Sequence, residues 1–223
     1  MRHRLGAVAV CLLLALSACG SHPDPGSATV TTFSADRGPL DFGGEGGQAL
    51  DPPRHFRHRW SASIGELLLC SRGSTPIVLT GVKMKSTGLV NVRALVHRVP
   101  PKSLAGVPGK NRRRYADFGS SLGGPPHFDG SRTSPLGSYT TAISGLKVPT
   151  CRDDEKWDGQ LSRGRIPSGV YTELVITAST GRHGGRLQQT WVDFTMDGRP
   201  GRQPLGWKLI LCGDDPRLAS MCR

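Results

Sequence analysis

Apolar and polar residues alternate most clearly in the second half of this chain. From Leu89 to Val99, Val90, Val92, Ala94 and Val96 fall on one side, and Asn91, Arg93, Leu95 and His97 on the other. That period of two predicts a half-buried strand, ended by Pro100-Pro101, with His97 facing solvent beside Arg93. Val170, Thr172, Leu174, Ile176 and Ala178 repeat the pattern, with Tyr171, Glu173, Val175 and Thr177 opposite. After a turn at Gly181, Gly184 and Gly185, Thr190, Val192, Phe194 and Met196 line the next strand. Asp197-Gly198 then marks a hairpin, because both central residues of its turn need positive φ. Leu205, Trp207, Leu209 and Leu211 form a last strand that ends at Cys212. Earlier, Ile64 to Cys70 is an apolar run of strand length, and Ile77 to Val82 is rich in β-branched residues. Ala142 to Val148 reads as a further strand.

Six or so short strands joined by glycine-rich turns predict an all-β fold, an antiparallel sandwich. An immunoglobulin-like arrangement is the commonest solution at this size, and a small barrel is the alternative. No apolar period of 3.6 follows the first twenty residues, and there are no internal repeats. Residues 59–223 are assigned to this domain. Residues 100–141 form a long irregular insertion within it, where prolines and glycines are interleaved with the Lys110-Asn111-Arg112-Arg113-Arg114 cluster. Residues 19–58 hold Pro23, Pro25, a glycine patch at 43–47 and Asp51-Pro52-Pro53, with few recurring apolar positions, and read as a flexible tether. The rival reading makes Val30 to Phe33 an edge strand of the domain. Gly44-x-Gly46-x-x-Ala49 imitates a dinucleotide fingerprint, but Asp51-Pro52-Pro53 blocks the helix that such a fingerprint requires.

Residues 1–18 carry Arg2 and Arg4, then the apolar run Leu5 to Leu16 and small residues, which describes an export signal. The run is too short for a membrane span, which needs about 20 residues. Leu16-Ser17-Ala18-Cys19 resembles the lipobox of bacterial lipoproteins. The resemblance implies that Cys19 becomes the first mature residue and carries lipid on its thiol and amine. The chain would then sit on the extracytoplasmic face of a membrane, inner or outer. The rival is a plain secretory signal with Cys19 incidental. Cys70, Cys151, Cys212 and Cys222 remain, an even number in an oxidising location, and imply two disulfides of open pairing. A zinc site is the weaker rival, because no two of them have Cys-x-x-Cys spacing. With Cys70 and Cys212 near the two ends of the domain, residues 60–212 are loosely similar to short actinobacterial lipoproteins of β-sandwich type.

Composition sharpens this only in part. The 223 residues hold 30 glycines, 17 prolines and 6% aromatics, and carry a net charge of +12. Such charge attracts polyanions: headgroups, envelope polymers or, least expected for an exported chain, nucleic acid. Arg112, Arg113 and Arg114 are the candidate polyanion contacts. Arg54-His55-Phe56-Arg57-His58-Arg59-Trp60 is a second basic stretch, with Trp60 as a candidate interfacial anchor. His55-x-x-His58 is a poor metal pair because its arginines repel cations. Asp153, Asp154, Glu155 and Asp158 lack calcium-loop spacing and read as an exposed turn. There is no Gly-x-Ser-x-Gly elbow. The sequence therefore points to a lipid-anchored binding or interaction module, without metal or cofactor, contacting an anionic envelope polymer or a surface protein. The alternative is an envelope-acting hydrolase.

Overall fold

The computed structural model describes residues 29–43, 46–54, 58–116, 118–125, 127–129 and 136–222. In chain order its elements are β1 (Thr31–Thr32), β2 (Leu40–Asp41), β3 (Gly46–Leu50), β4 (Trp60–Leu68), β5 (Cys70–Ser71), β6 (Ile77–Thr87) and β7 (Leu89–Val99). They continue with α1 (Arg112–Ala116), β8 (Ser120–Gly124), β9 (His127–Asp129), β10 (Ser138–Thr140), β11 (Lys147–Val148) and α2 (Cys151–Ser162). The last are β12 (Tyr171–Thr180), β13 (Gly185–Met196), β14 (Arg199–Leu205) and β15 (Trp207–Leu211).

These strands make the expected sandwich and do not close into a barrel. In the first sheet β13 lies between β6 on one side and β14 with β15 on the other. In the second the order is β10-β7-β12-β4-β8-β9. Two lengths of chain turn the corner between the sheets: β6 into β7 at Gly88, and β12 into β13 at Gly181 to Gly184. Sheets packed in this way meet at corners made by strands that change sheet. The corner needs glycine. Gly88 has φ +72°, and a Cβ on it would lie 2.6 Å from the Gly184 carbonyl oxygen. Asp197 and Gly198 have φ of 51° and 73°, so the anticipated β13–β14 hairpin turn is present.

Inward residues of both sheets share one core: Ile64, Leu174, Ile176 and Val96 from the second, and Leu79, Val192, Phe194 and Leu209 from the first. The alternation in β7 is interrupted once. Asn91 takes φ 53°, so Leu89 is buried while Val90 turns outward at 40% exposure.

The N-terminal segment corrects the expectation of a tether over 19–58. β1 pairs with β14 and β3 with β15, both in parallel, and β2 pairs with β5. Leu40 and Phe42 belong to the core. The segment has no apolar period because each strand is only two to five residues long, and backbone pairing and single anchor side chains hold it. Domain structure thus begins by Thr31, as the rival reading had it. The earlier part of the expected tether, with the signal and Cys19, lies outside the described residues.

The second sheet is covered on its far side too, which corrects the reading of His97 as solvent-facing. Val99 and Tyr171 pack there against Leu104, Ala116, Trp157 and Leu161. Leu95 and Val175 pack against Phe118, Phe128 and Tyr139. Much of the 100–141 insertion is therefore an outer layer over this sheet. The acidic stretch expected as a turn is helix α2, held to the same surface by Trp157 and Leu161, four residues apart. Only Lys147 and Val148 of the expected 142–148 strand are extended and paired.

Candidate functional site

Two bridges form: Cys70 with Cys151, and Cys212 with Cys222. This removes the zinc alternative. The first pins the start of α2 to β5. Thr150 caps the helix, its Oγ1 accepting from the Asp153 N–H and donating to Asp153 Oδ2 at 2.7 Å. Acidic side chains in this first turn suit the positive end of the helix dipole. Between α2, the β2–β5 pair and α1 opens a cleft of about 730 Å³. Leu68, the Cys70–Cys151 bridge, Trp157 and Tyr171 give it an apolar side. The Trp157 and Tyr171 rings stack at 4.3 Å, and Trp157 Nε1 donates to the Gly169 carbonyl at 3.1 Å.

Charged groups ring the cleft in pairs. Arg72 Nε lies 3.3 Å from Asp41 Oδ2, and Arg113 Nη2 lies 3.4 Å from Asp158 Oδ1. Asp154 departs from this pattern. It is 9% exposed, and its Oδ2 has no hydrogen-bond partner among the described residues. Burial, and then the charge of Asp153, raise its pKa to about 7. A perturbed, under-satisfied carboxyl in an apolar-sided cleft is the usual mark of a ligand site. The sequence signals that could have found α2 are the Thr150-x-x-Asp153 cap and the Trp157–Leu161 spacing. Nothing in sequence brings Asp41, Arg72 and Arg113 to it.

The sequence-derived polyanion contacts are not presented together. Arg112 Nε donates to the Val107 carbonyl at 3.0 Å and Nη1 to the Gly164 carbonyl, which ties α1 to the loop after α2. Arg113 pairs with Asp158, and Arg114 is exposed. Trp60 is buried at 5% exposure and is a core residue, not an interfacial anchor. His58 is exposed, and His55 lies outside the described residues. Among the described residues no group of three or more His, Cys, Asp or Glu could hold a metal ion.

His97 is fully buried. Its Nδ1 lies 2.6 Å from Glu173 Oε1, and its Nε2–H donates to the Leu136 carbonyl at 2.8 Å. Glu173 Oε1 also accepts from the Phe118 N–H at 3.1 Å, and Tyr139 stacks on the imidazole at 4.5 Å. Burial, with the Glu173 charge, pushes the Tyr139 phenol up. This node clips the outer layer to the sheet.

The first sheet gathers basic residues that sequence reading left scattered. Its strands carry Lys83, Lys85, Lys147, Arg186, Arg199, Arg202 and Lys208, and Asp193 is their one acid. Register places Lys83, Trp191 and Pro204 in one row across the sheet, and Lys85 opposite Gln189. Their core-side neighbours Val82, Thr190 and Val192 face the interior, so this row lies on the outer face. Arg202 reaches Asp193 with Nε at 2.5 Å and Nη2 at 3.1 Å, and Lys83 stands 3.4 Å away. Arg202's hydrogen bonds, helped by Lys83, hold the Asp193 carboxyl below its usual range.

No helix among the described residues is long and apolar enough to cross a membrane. The chain matches no protein-family model, no curated protein and no solved structure.

Proposed function

We propose that this protein is a lipid-anchored, extracytoplasmic binding module that seats the outer face of its first sheet on anionic headgroups. The observation that carries this reading is the charge imbalance of that sheet's outer face, where Lys83, Lys85, Lys147, Arg186, Arg202 and Lys208 stand against Asp193 around Trp191. The second sheet shows no such excess. Each cation near an anionic surface contributes on the order of 1 kcal/mol, lost with salt.

The position of the anchor supports the same arrangement. Eleven residues, twelve Cα–Cα steps, lie between Cys19 and the start of β1, which lies at the edge of the basic sheet beside β14. That length reaches at most about 43 Å fully extended. Lipid on Cys19 supplies one attachment and the basic face a second, the combination that makes peripheral binding stable.

Co-sedimentation of residues 21–223 with phosphatidylglycerol vesicles tests this without the lipid. Binding is expected at about 0.05 M salt and its loss at about 0.5 M. Lys83→Glu with Lys85→Glu should abolish it, and Arg114→Glu should not. Equal binding to phosphatidylcholine vesicles, or dependence on Arg114 in place of the lysines, would overturn the reading.

A further inference from the structure

We propose that the cleft beside the Cys70–Cys151 bridge binds a small organic cation, an ammonium group on an apolar stem, with Asp154 as its counter-ion. Asp154 lines the cleft, and its Oδ2 is buried and lacks a donor among the described residues. A buried acceptor left unmade is costly, so the site is suited to a ligand that brings a donor. The protein's own cations do not fill that role. Arg72 is engaged by Asp41 and by the Asp36 carbonyl, and Arg113 by Asp158.

Charge selects the sign of the ligand. On a chain of net charge +12, this cleft gathers Asp41, Asp154, Glu155 and Asp158 against Arg72 and Arg113. Asp153 and Lys156, one turn of the helix around, pair with each other at 3.5 Å and add no net charge. Tyr171, from β12, contributes a ring stacked on Trp157. A phosphate or carboxylate would meet uncompensated carboxylates here. A metal ion would lack ligands, since no group of three or more donor residues exists among the described residues. An ammonium needs one counter-ion and three acceptors at most, and its hydrocarbon stem matches Leu68, the disulfide and the aromatic pair. The cleft borders the outer layer of the second sheet, whereas the basic face belongs to the first, so this inference stands independently of the membrane reading.

Calorimetric titration of the mature chain with alkylamines of increasing length, and with the matching alcohols, is the test. Saturable binding of at least one amine is expected, at least about tenfold tighter than its alcohol. Asp154→Asn should weaken it about tenfold or more. Because Asp154 takes up its charge on binding, wild type should release a proton at pH 6.5, seen as heats that differ between buffers of different ionisation enthalpy. That readout needs no variant and holds if Asp154→Asn folds poorly. No saturable binding by any amine, equal binding of the alcohols, or amine binding without proton release would each overturn the proposal.

Discussion

Gln203 hydrogen-bonds both backbone groups of Leu40, a residue 163 positions earlier: its Oε1 accepts from the Leu40 N–H at 3.0 Å and its Nε2 donates to the Leu40 carbonyl at 2.8 Å. The same Nε2 reaches the Ala35 carbonyl at 3.0 Å, and the side chain is fully buried. One amide thus mimics a strand neighbour and fixes the N-terminal segment on β14. Gly38 lies so close to this amide that a Cβ there would overlap it. Gln203→Leu leaves the two buried backbone groups of Leu40 and the half-buried Ala35 carbonyl unmatched and is expected to destabilise by about 2–4 kcal/mol. Hydrogen exchange should show lost protection at Leu40 before the β12 amides change.

The two disulfides should contribute unequally. Cys70–Cys151 closes 81 residues and Cys212–Cys222 closes 10. Chain-entropy reasoning assigns them about 4.5 and about 2.7 kcal/mol. Cys70→Ser with Cys151→Ser should therefore lower the denaturant midpoint more than the Cys212→Ser, Cys222→Ser pair, and should also release the start of α2.

Removing one member of the His97–Glu173 pair strands the other in a fully buried site. Glu173→Leu is expected to cost about 3–5 kcal/mol. Limited proteolysis should then cut between 118 and 140 first, since Phe118 N–H loses its acceptor and the Leu136 contact loses its brace.

Asp154 sets a pH dependence of stability. Its folded pKa, about 7, lies above the ordinary 3.8, so the native state holds a proton that the unfolded chain has lost between those values. Stability from this group therefore falls as pH rises from about 4 to about 7 and stays low above that. Asp154→Asn should remove this slope and stabilise at pH 8 by up to about 4 kcal/mol, read from urea unfolding at pH 5 and pH 8.

What the sequence made legible follows from period and spacing. β7 runs from Leu89 to Val99, the bounds that its alternation and the following prolines predict, and the Asp197-Gly198 turn joins β13 to β14. The final run is split into β14 and β15 at Gly206, a break its apolar period conceals. His97 and Glu173 sit opposite each other in register, yet each looks polar and outward on its own strand, because the layer that covers them comes from residues far along the chain. The cleft was illegible for the same reason. Its walls come from β2, β4, β5, α1, α2 and β12, and α2 offers only Trp157 and Leu161 as buried apolar positions past its disulfide on a polar helix.

The most direct measurement is the depth of each sheet relative to the bilayer. Nitroxide labels at Gln189→Cys, beside Lys85 on the basic sheet, and at Arg93→Cys, on the other sheet, are placed in the lipid-bearing protein on phosphatidylglycerol vesicles. With the basic face seated on the bilayer, the label at 189 is expected to lose access to a water-soluble nickel relaxant on anionic but not on zwitterionic vesicles, while the label at 93 stays accessible on both. Equal access at both positions on anionic vesicles, or protection at 93 with exposure at 189, would contradict this seating.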